Sequence, residues 1–286
     1  MFDTQSLLGM IAEKAAQVSH KEEGDYVVND ILYCGKCHTP KQARLPVAGM
    51  EIVPCICKCQ NEMFERQEAE RKRIEHEDRE MDLVRSLSRY SIMDARLKDA
   101  TFDRFIPRKD NEKALRKARW YAEHFDVMQE KNQGLLFWGG PSTGKTFTAA
   151  CIANYLLERR VSVLVTSFAK LLSEISFGED ADRLSLKLRR VSLLVIDDLG
   201  AERSTDYAME KVYGIIDDRY RAERPIILTT NNAMQDMKAE TNIQYSRIYE
   251  RIFEMCYPVE FNGRSWRKVS ARNRFYEMEK LMEETE

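Results

Sequence analysis

An eight-residue segment that fits the pattern G-x-x-x-x-G-K-[ST] limits the possible folds of this chain more than any other feature. It consists of Gly139, Gly140, Pro141, Ser142, Thr143, Gly144, Lys145 and Thr146. The apolar run 134–138 leads into it, and residues 147–157 behind it are small or apolar, without a helix breaker. The sequence therefore predicts a buried strand, a glycine-rich turn and a helix whose N-terminus faces the turn.

Such a turn is suited to binding the phosphates of a nucleotide. Unpaired backbone N–H groups and the positive end of the helix dipole point into it, Lys145 adds a positive charge, and Thr146 supplies a hydroxyl ligand for Mg²⁺. The alternative is a chance match in a glycine-rich loop, which the order of strand, loop and helix disfavours. Ser142 stands where related loops often carry Gly, and a left-handed backbone there would cost about 1 kcal/mol.

Two carboxylates end a second apolar run, residues 191–198. A buried parallel strand has this composition, and its last side chains emerge at the carboxyl end of the sheet. We expect Asp197 to hold Mg²⁺ together with Thr146, and Asp198 to orient or deprotonate an attacking water. The alternative is that the pair only begins a turn. Because Asp198 replaces the commoner Glu, its shorter reach predicts slow hydrolysis.

Polar residues beyond these acids are further candidates for the site. Asn231 ends another predicted strand, 225–232, where it can contact the γ-phosphate or the attacking water, or can cap a helix. Arg247 and Arg251 lie four residues apart and so share one helical face. They form either a solvated ridge or a source of positive charge for phosphoryl transfer in a neighbouring subunit, a role we assign first to Arg251 and then to Arg247.

Five of the seven cysteines fall between residues 34 and 59, which indicates one local site rather than a disulfide framework. Two of them form a C-x-x-C pair, which can direct two thiolates at one tetrahedral ion. The other three alternate along an extended segment, so this segment must bend for two sulfurs to reach the ion. The favoured Zn²⁺ ligands are Cys34, Cys37, Cys57 and Cys59, with Cys55 as a substitute and His38 less favoured.

The alternative for the cysteines is a set of free thiols in a small reduced domain. The segment has few large apolar residues, so it has little else to stabilise a fold. A closed structural zinc site is therefore the favoured interpretation.

Residues 62–82 are mostly charged, and opposite charges lie three or four residues apart, as in Glu68–Lys72 and Glu75–Arg79. This spacing predicts a solvated helix that acts as a spacer, or else an arm that binds a partner together with the cysteine module. The predicted organisation is a zinc-binding module at 1–60, a charged helical linker at 61–98, an α/β nucleotide-binding domain at 99–270 and a charged C-terminal helix at 271–286.

Charge and hydropathy limit the partners and the cellular location that we expect for this protein. The net charge of −2 gives no general attraction to nucleic acid, so a DNA contact requires a local basic patch. Residues 7–15 have a short amphipathic pattern that predicts a helix. No apolar run approaches the ~20 residues that span a bilayer, and residues 1–16 lack the features of a secretion signal. We therefore expect a cytoplasmic protein with no membrane partner.

Several motifs resemble the DnaC/DnaI type of replicative helicase loader and its relative, the IstB transposition helper, both within the AAA+ ATPases. The resemblance covers about residues 95–270. The segments that carry it, besides the phosphate loop, are Leu194–Glu202, Asp218–Tyr220, Thr229–Asn231, Tyr249–Ile252 and Gly263–Arg267.

The resemblance implies an α/β AAA+ P-loop fold: a parallel sheet flanked by helices, without a lid domain. It also implies that ATP and Mg²⁺ bind at the loop and that subunits assemble side by side through the ATP site. By motif position, Asn231 corresponds to sensor 1, Arg251 to the arginine finger and Arg267 to a sensor-2-like residue.

The cysteine module is similar to the zinc-bearing region of DnaI-type loaders, which engages the helicase. IstB-type proteins generally lack it, so this module separates the two types. Loaders are also expected to contact single-stranded DNA through the region between a strand predicted at 161–166 and the strand predicted at 191–198, although core packing is an equally good role for the two Phe residues there. The candidates in this chain are Phe168, Lys170, Phe177, Lys187, Arg189 and Arg190.

These interpretations together predict a slow ATPase that loads a hexameric replicative helicase onto single-stranded DNA at the start of replication. The first alternative is a transposition helper ATPase. The second is a nucleotide-binding adaptor without useful hydrolysis, which Ser142 and Asp198 both favour.

Overall fold

The chain divides into two units, with the boundary between His76 and Glu77. A computed structural model describes residues 21–44, 52–105, 110–176, 181–200 and 206–283. The helix predicted at residues 7–15 lies outside the described residues.

The first unit contains two short antiparallel hairpins, followed by the start of a long helix. Asn29 and Asp30 connect the first hairpin with φ angles of 49° and 63°. Two consecutive residues with positive φ match the twist of a tight hairpin, and Asn and Asp tolerate this conformation better than most residues. The elements are β1 (Tyr26–Val28), β2 (Ile31–Tyr33), β3 (Gln42–Arg44), β4 (Ile52–Pro54) and α1 (Lys58–Ser86).

An ion pair is buried between the hairpins of the first unit. Lys41 Nζ lies 2.6 Å from Asp25 Oδ2, and both side chains are almost fully covered. Asp25 also accepts a hydrogen bond from the backbone N–H of Gly35. The bond from Lys41 is the main cause that lowers the pKa of Asp25 to about 2. Loss of either partner would leave an uncompensated charge, so the pair fixes the arrangement of the two hairpins.

Helix α1 confirms the charged helix predicted at 62–82. It has no buried residue along its 29 residues. Lys72 Nζ lies 2.9 Å from Glu68 Oε1, one of the predicted pairs. Such exposed pairs each add a few tenths of a kcal/mol to a helix.

The second unit is built on a five-stranded sheet in which every strand is parallel to its neighbours. The strands are β5 (Gly134–Trp138), β6 (Val163–Ser167), β7 (Leu193–Leu199), β8 (Ile226–Thr230) and β9 (Cys256–Glu260). Their order across the sheet is β6-β7-β8-β5-β9, so β5, which leads into the phosphate loop, lies between β8 and β9. The predicted parallel α/β architecture is confirmed.

Alternation along the strands divides the interior into two apolar layers. Leu136 of β5 belongs to one cluster of buried residues, whereas Leu135 and Phe137 belong to the other. Neighbouring side chains of a strand point to opposite faces, so a continuous apolar run is buried on both sides. The helices are α2 (Ala95–Lys98), α3 (Glu112–Glu123), α4 (Phe125–Glu130), α5 (Lys145–Leu157), α6 (Phe168–Ser176), α7 (Ala181–Arg190), α8 (Asp206–Arg221), α9 (Met234–Lys238), α10 (Ile243–Met255) and α11 (Trp266–Glu283).

The second unit begins inside the segment predicted as a linker, 61–98. Glu80 accepts hydrogen bonds from the hydroxyls of Ser162 and Ser192, which precede β6 and β7. Leu87 and Tyr90 are fully buried in one of the apolar clusters. Residues 77–98 therefore belong to the second unit, because their side chains complete its interior.

The same segment covers one edge of the sheet. Strand β6 is an edge strand and pairs only with β7 within the sheet. The backbone N–H of Ile92 donates to the carbonyl oxygen of Val165 in β6 at 3.0 Å. An unpaired strand edge attracts other strands, so this bond shields part of that edge.

Element boundaries differ from the sequence prediction in one informative place. The sequence predicts a helical segment at 111–125, but the helix divides at His124, whose φ and ψ of −115° and 30° are not helical. The sequence also predicts a helix from Asp206 to Arg221, and α8 has these bounds. Among the described residues beyond β9, α11 is the single helix. None of the helices in the described ranges is long and apolar enough to cross a membrane.

Candidate functional site

The phosphate loop connects β5 to α5 in the predicted way. Gly139 has a φ of 132°, and a Cβ there would collide with the carbonyl oxygen of Phe261. Gly144, with a φ of 108°, precedes the first residue of α5. Ser142 has a φ of 61°, so the left-handed backbone anticipated at this position is present and the cost of about 1 kcal/mol applies.

Lys145 lies in the concave side of this loop. Its side chain is almost buried, and its Nζ donates to the carbonyl oxygens of Gly139 and Gly140 at 2.7 and 2.8 Å. A third bond of 2.8 Å reaches Oδ1 of Asn231. Burial lowers the pKa of Lys145. These three hydrogen-bond acceptors are neutral, so none of them competes as an anion with a phosphate for the ammonium group.

Asp197 and Thr146 are brought together as the sequence predicts. The hydroxyl of Thr146 donates to Oδ1 of Asp197 at 2.8 Å, and the hydroxyl of Thr229 donates to the same oxygen at 2.6 Å. Burial raises the pKa of Asp197, while the two hydroxyl bonds oppose the shift. One hydroxyl and one carboxylate form an oxygen donor set that fits Mg²⁺.

Asp198 lies on a bulge of β7, where its pairing with β8 shifts register between Ile196 and Leu199. Its φ is 56°, and its side chain is exposed although that of Asp197 is buried. Asn231 Nδ2 donates to Asp198 Oδ1 at 3.5 Å. The bulge therefore lets two consecutive acids face the same end of the sheet.

Thr229 is a residue of the site to which the sequence analysis assigned no role. Besides its bond to Asp197, its hydroxyl accepts the backbone N–H of Asp198 at 2.9 Å. It thus fixes the acid pair to the neighbouring strand. The sequence feature that could have identified Thr229 is a polar residue near the end of an otherwise apolar strand.

The predicted arginines occupy different environments. Arg251 forms an ion pair with Asp217 at 2.8 Å, and its guanidinium lies 4.6 Å from the ring centre of Tyr213. Arg247, one turn earlier on α10, is exposed. Arg267 is also exposed and follows Trp266, whose backbone N–H donates to the carbonyl of Ser142 at 2.8 Å. The start of α11 therefore lies against the phosphate loop.

Aromatic rings surround the same loop. Phe105 packs on Phe147 and on Trp266, with ring centres 5.7 and 6.4 Å apart. The ring of Phe105 is also within 3.4 Å of where a Cβ of Gly144 would lie, so only glycine fits there without movement. Phe102, by contrast, belongs to one of the two apolar clusters.

The four favoured cysteines form a cluster in the first unit. The sulfur atoms of Cys34, Cys37, Cys57 and Cys59 all lie within 4.8 Å of one another. Cys59 Sγ is 3.6 Å from Cys34 Sγ and 3.4 Å from Cys57 Sγ. Tetrahedral zinc with bonds of about 2.3 Å needs sulfurs about 3.8 Å apart, so the thiols fit Zn²⁺ with small adjustments.

The remaining ligand candidates point elsewhere. Cys55 Sγ lies 3.4 Å from the carbonyl oxygen of Pro40, and Nδ1 of His38 lies 3.2 Å from the hydroxyl of Tyr26. Neither joins the cluster of four sulfurs. The C-x-x-C pair together with Cys57 and Cys59 supplies the four sulfur ligands that a tetrahedral ion needs.

The candidate DNA contacts are only partly exposed. Phe168 is buried in an apolar cluster, so core packing is its role here. Lys170 Nζ forms an ion pair with Glu174 at 2.9 Å. Arg189 and Arg190 are exposed at the end of α7 with Lys187 half-buried nearby, and Phe177 lies outside the described residues.

A family of ATP-binding proteins matches most of the chain. The model described as IstB-like ATP binding protein matches residues 69–274. The chain belongs to this family. The match covers the phosphate loop, both aspartates, Asn231 and the three arginines, and it begins after the cysteine cluster.

The chain is also similar to individual proteins that are named replicative helicase loaders. The chain is 31% identical over 185 residues to the replicative helicase loader DnaC of Escherichia coli (strain K12), covering 63% of this chain and 73% of DnaC. It is 27% identical over 150 residues to the replicative helicase loader DnaI of Bacillus subtilis (strain 168), covering 48% of each. The crystal structure of DnaI superposes with a TM-score of 0.52 and 28% identity, covering 60% of this chain and 96% of that one. The predicted DnaC/DnaI-type AAA+ fold is confirmed.

Proposed function

We propose that this protein is an ATP-dependent loader that places a hexameric replicative helicase on single-stranded DNA. The observation that carries the proposal is the similarity to DnaC and DnaI, both named replicative helicase loaders, within a family match that contains the whole phosphate-loop site. The cysteine module, which lies outside that match, is the proposed contact to the helicase.

ATP is the proposed ligand of the phosphate loop. Backbone N–H groups at the start of α5 and the ammonium of Lys145 hold its phosphates. Thr146 and Asp197 provide oxygen ligands for Mg²⁺, and Thr229 keeps Asp197 in place by its 2.6 Å bond. The metal, when bound, offsets the negative charge that develops during phosphoryl transfer.

Hydrolysis is proposed to be slow. Asp198 orients the attacking water, and Asn231 connects Asp198 to Lys145 through its amide group. An aspartate in this role reaches less far than a glutamate, and Ser142 adds strain to the loop. Both features reduce the rate without removing the site.

Self-assembly through the ATP site is proposed to complete it. Arg251 of a neighbouring subunit contributes positive charge to the phosphates, for which it must exchange the ion pair with Asp217 that it forms within its own chain. ATP then acts as a switch, because it links two subunits only while the γ-phosphate remains.

Retention of a hexameric replicative helicase by the immobilised full-length protein tests the loader function. We expect the native chain to retain the helicase and the Cys34→Ser/Cys57→Ser variant to lose it. Cys55→Ser is the matched control, because Cys55 lies outside the cluster. If no helicase is retained, or if the cluster variant retains it fully, the transposition helper becomes the better proposal.

ATP turnover tests the enzymatic part of the proposal. We expect slow hydrolysis by the native chain and at least about 100-fold less by Asp198→Ala, in line with the loss of a catalytic base. Equal rates for the two proteins would instead identify a nucleotide-binding adaptor.

A further inference from the structure

A cavity of about 680 Å³ lies between helix α3 and the outer edge of the sheet, at strand β9. Leu135 forms part of its lining and pairs with Tyr257 of β9, another lining residue. Leu135 precedes the first loop residue, Gly139, by four positions, or about 13 Å of extended strand. The cavity therefore lies towards the amino end of the strands and is separate from the phosphate loop.

One face of α3 gives the cavity a positive charge. Lys113, Arg116 and Lys117 line it, at positions that face the same side of a helix. Within the described part of the chain, Lys113 and Arg116 form no ion pair, and the lining residues include no carboxylate. These cations are not neutralised locally, so they favour an anionic ligand.

Two half-exposed aromatic side chains border these cations. Trp120, one turn beyond Arg116 on the same face of α3, is 51% exposed, and Tyr257 is 50% exposed. The ammonium of Lys117 lies 4.8 Å from the ring centre of Tyr257 and 3.1 Å from its hydroxyl. Trp120 stacks on His124 with ring centres 4.5 Å apart, which fixes its indole. Large aromatic surfaces beside cations suit a ligand that has both a flat ring and a negative charge.

The size of the cavity suits one nucleotide. Its inner surface includes the buried side chains of Tyr121 and Leu135, so a ring that enters meets an apolar floor. A volume of several hundred Å³ is typical of sites for ligands of nucleotide size.

We propose that this cavity binds a nucleotide unit of a single-stranded nucleic acid, with a base on Trp120 and Tyr257 and the adjacent phosphates on Lys113 and Arg116. Stacking surfaces interleaved with cations are typical of single-strand binding without sequence preference. A duplex conceals the faces of its bases, and an acidic peptide would use the charges but leave both aromatic rings without a partner. The site is separate from the ATP site and from the candidate contacts on α7.

Binding of a fluorescent oligothymidylate of about 15 nucleotides to the full-length protein, followed by anisotropy, tests this site. We expect Trp120→Ala to weaken binding by at least about fivefold and Trp120→Phe to retain most of the affinity. Lys113→Ala/Arg116→Ala should weaken binding and make the negative slope of log affinity against log salt less steep by about 1.4, or 0.7 for each lost phosphate contact.

A control variant separates local recognition from net charge. Arg96→Ala/Lys98→Ala removes two exposed cations from α2 and should leave both the affinity and the salt slope unchanged. Unchanged ATP affinity in all variants would show that they are folded. The helicase retention assay is a separate readout, so this site can fail without affecting the loader proposal.

Two results would overturn the proposal. One is that Trp120→Ala and Lys113→Ala/Arg116→Ala both bind the oligonucleotide with native affinity, whereas Lys187→Ala/Arg190→Ala, on α7, loses binding. The other is displacement of the labelled strand by polyglutamate as effectively as by unlabelled oligothymidylate, which would reduce the cavity to an unspecific positive patch.

Discussion

The cysteine-bearing unit and the unit with the phosphate loop differ most in what fills their interiors. Among the described residues of the first unit, the buried apolar side chains are Leu32, Cys34 and Cys57, accompanied by the buried Lys41. The second unit has two large apolar clusters, one on each face of its sheet. Apolar burial at about 25 cal/mol per Å² can stabilise the second unit but not the first.

This difference teaches that one chain can combine two independent sources of stability. The first unit has four clustered thiols that fit a metal ion and the ion pair of Lys41 with Asp25, whereas the second has a layered apolar core. The three tryptophans, at positions 120, 138 and 266, all belong to the second unit. Tryptophan fluorescence therefore follows that unit alone, and hydrogen exchange of residues 21–44 and 52–57 follows the first.

Metal removal should have the largest effect and should be confined to the first unit. A structural zinc site is worth on the order of 10 kcal/mol, so chelation or Cys34→Ser/Cys57→Ser should release about one Zn²⁺ per chain and bring amide exchange there close to the unfolded rate. The fluorescence transition of the second unit should not move. Cys55→Ser is expected to keep both zinc and protection, and an intact first unit in the metal-free protein would contradict the interpretation.

Arg219 gives the corresponding test for the second unit. Its fully buried guanidinium donates to the carbonyl oxygens of Leu188 and Val191 at 3.0 and 2.7 Å, and burial lowers its pKa to about 9. We expect Arg219→Ala to lower the free energy of unfolding by at least about 3 kcal/mol, because several buried carbonyls lose their donor. The measurement is denaturant unfolding followed by tryptophan fluorescence.

The control for Arg219 is Arg221→Ala, which removes an exposed arginine from the same helix together with its ion pair to Asp217. This change should cost less than about 1 kcal/mol. Equal losses for the two variants would show that the buried carbonyls are satisfied in some other way. Neither variant should alter the zinc content.

Nucleotide should stabilise the second unit selectively. At an ATP concentration 100 times the dissociation constant, the gain is about 2.7 kcal/mol in its free energy of unfolding. Lys145→Ala should abolish the gain, whereas Lys238→Ala, an exposed lysine on α9, should preserve it. Equal stabilisation of the native and Lys145→Ala proteins would place the nucleotide elsewhere.

The smallest expected effect concerns how the free energy of unfolding of the second unit, without nucleotide, depends on pH. Burial raises the pKa of Asp197 above its ordinary value of 3.8, so the folded chain binds that proton more tightly than the unfolded chain does. The contribution of this carboxyl to stability therefore falls as the pH rises from 3.8 through the raised pKa. Asp197→Asn should be more stable than the native protein at pH 7, and the difference should disappear below pH 3.8.

If Asp197→Asn is no more stable than the native protein at pH 7, the hydroxyls of Thr146 and Thr229 fully compensate the buried charge of Asp197. The measurement is the fluorescence-monitored transition of both proteins over a series of pH values.

The sequence was sufficient for features that depend on local pattern. The phosphate loop, the parallel strands and the spacing of the cysteines follow from adjacent residues, and the structure brings Thr146 to Asp197 because parallel strands end at one edge. Ser142 was also identified locally as a position of strain.

Features that depend on the register of distant segments could not be predicted. The bulge that turns Asp198 to a positive φ arises from the pairing of β7 with β8, and Thr229 acquires its role only through that pairing. The cavity beside Trp120 requires Tyr257 from the far end of the chain. The ion pair of Arg251 with Asp217 likewise joins two helices whose packing no single segment encodes.

The bond from Ile92 to Val165 has a practical consequence for dissecting this protein. An expression fragment cut at Asp99 would lack this cover and also the buried Tyr90, so the outer carbonyls of β6 and a hole in the interior would face solvent. Such a fragment should polymerise edge to edge and precipitate, whereas one cut at Glu77 should stay dispersed at the same concentration.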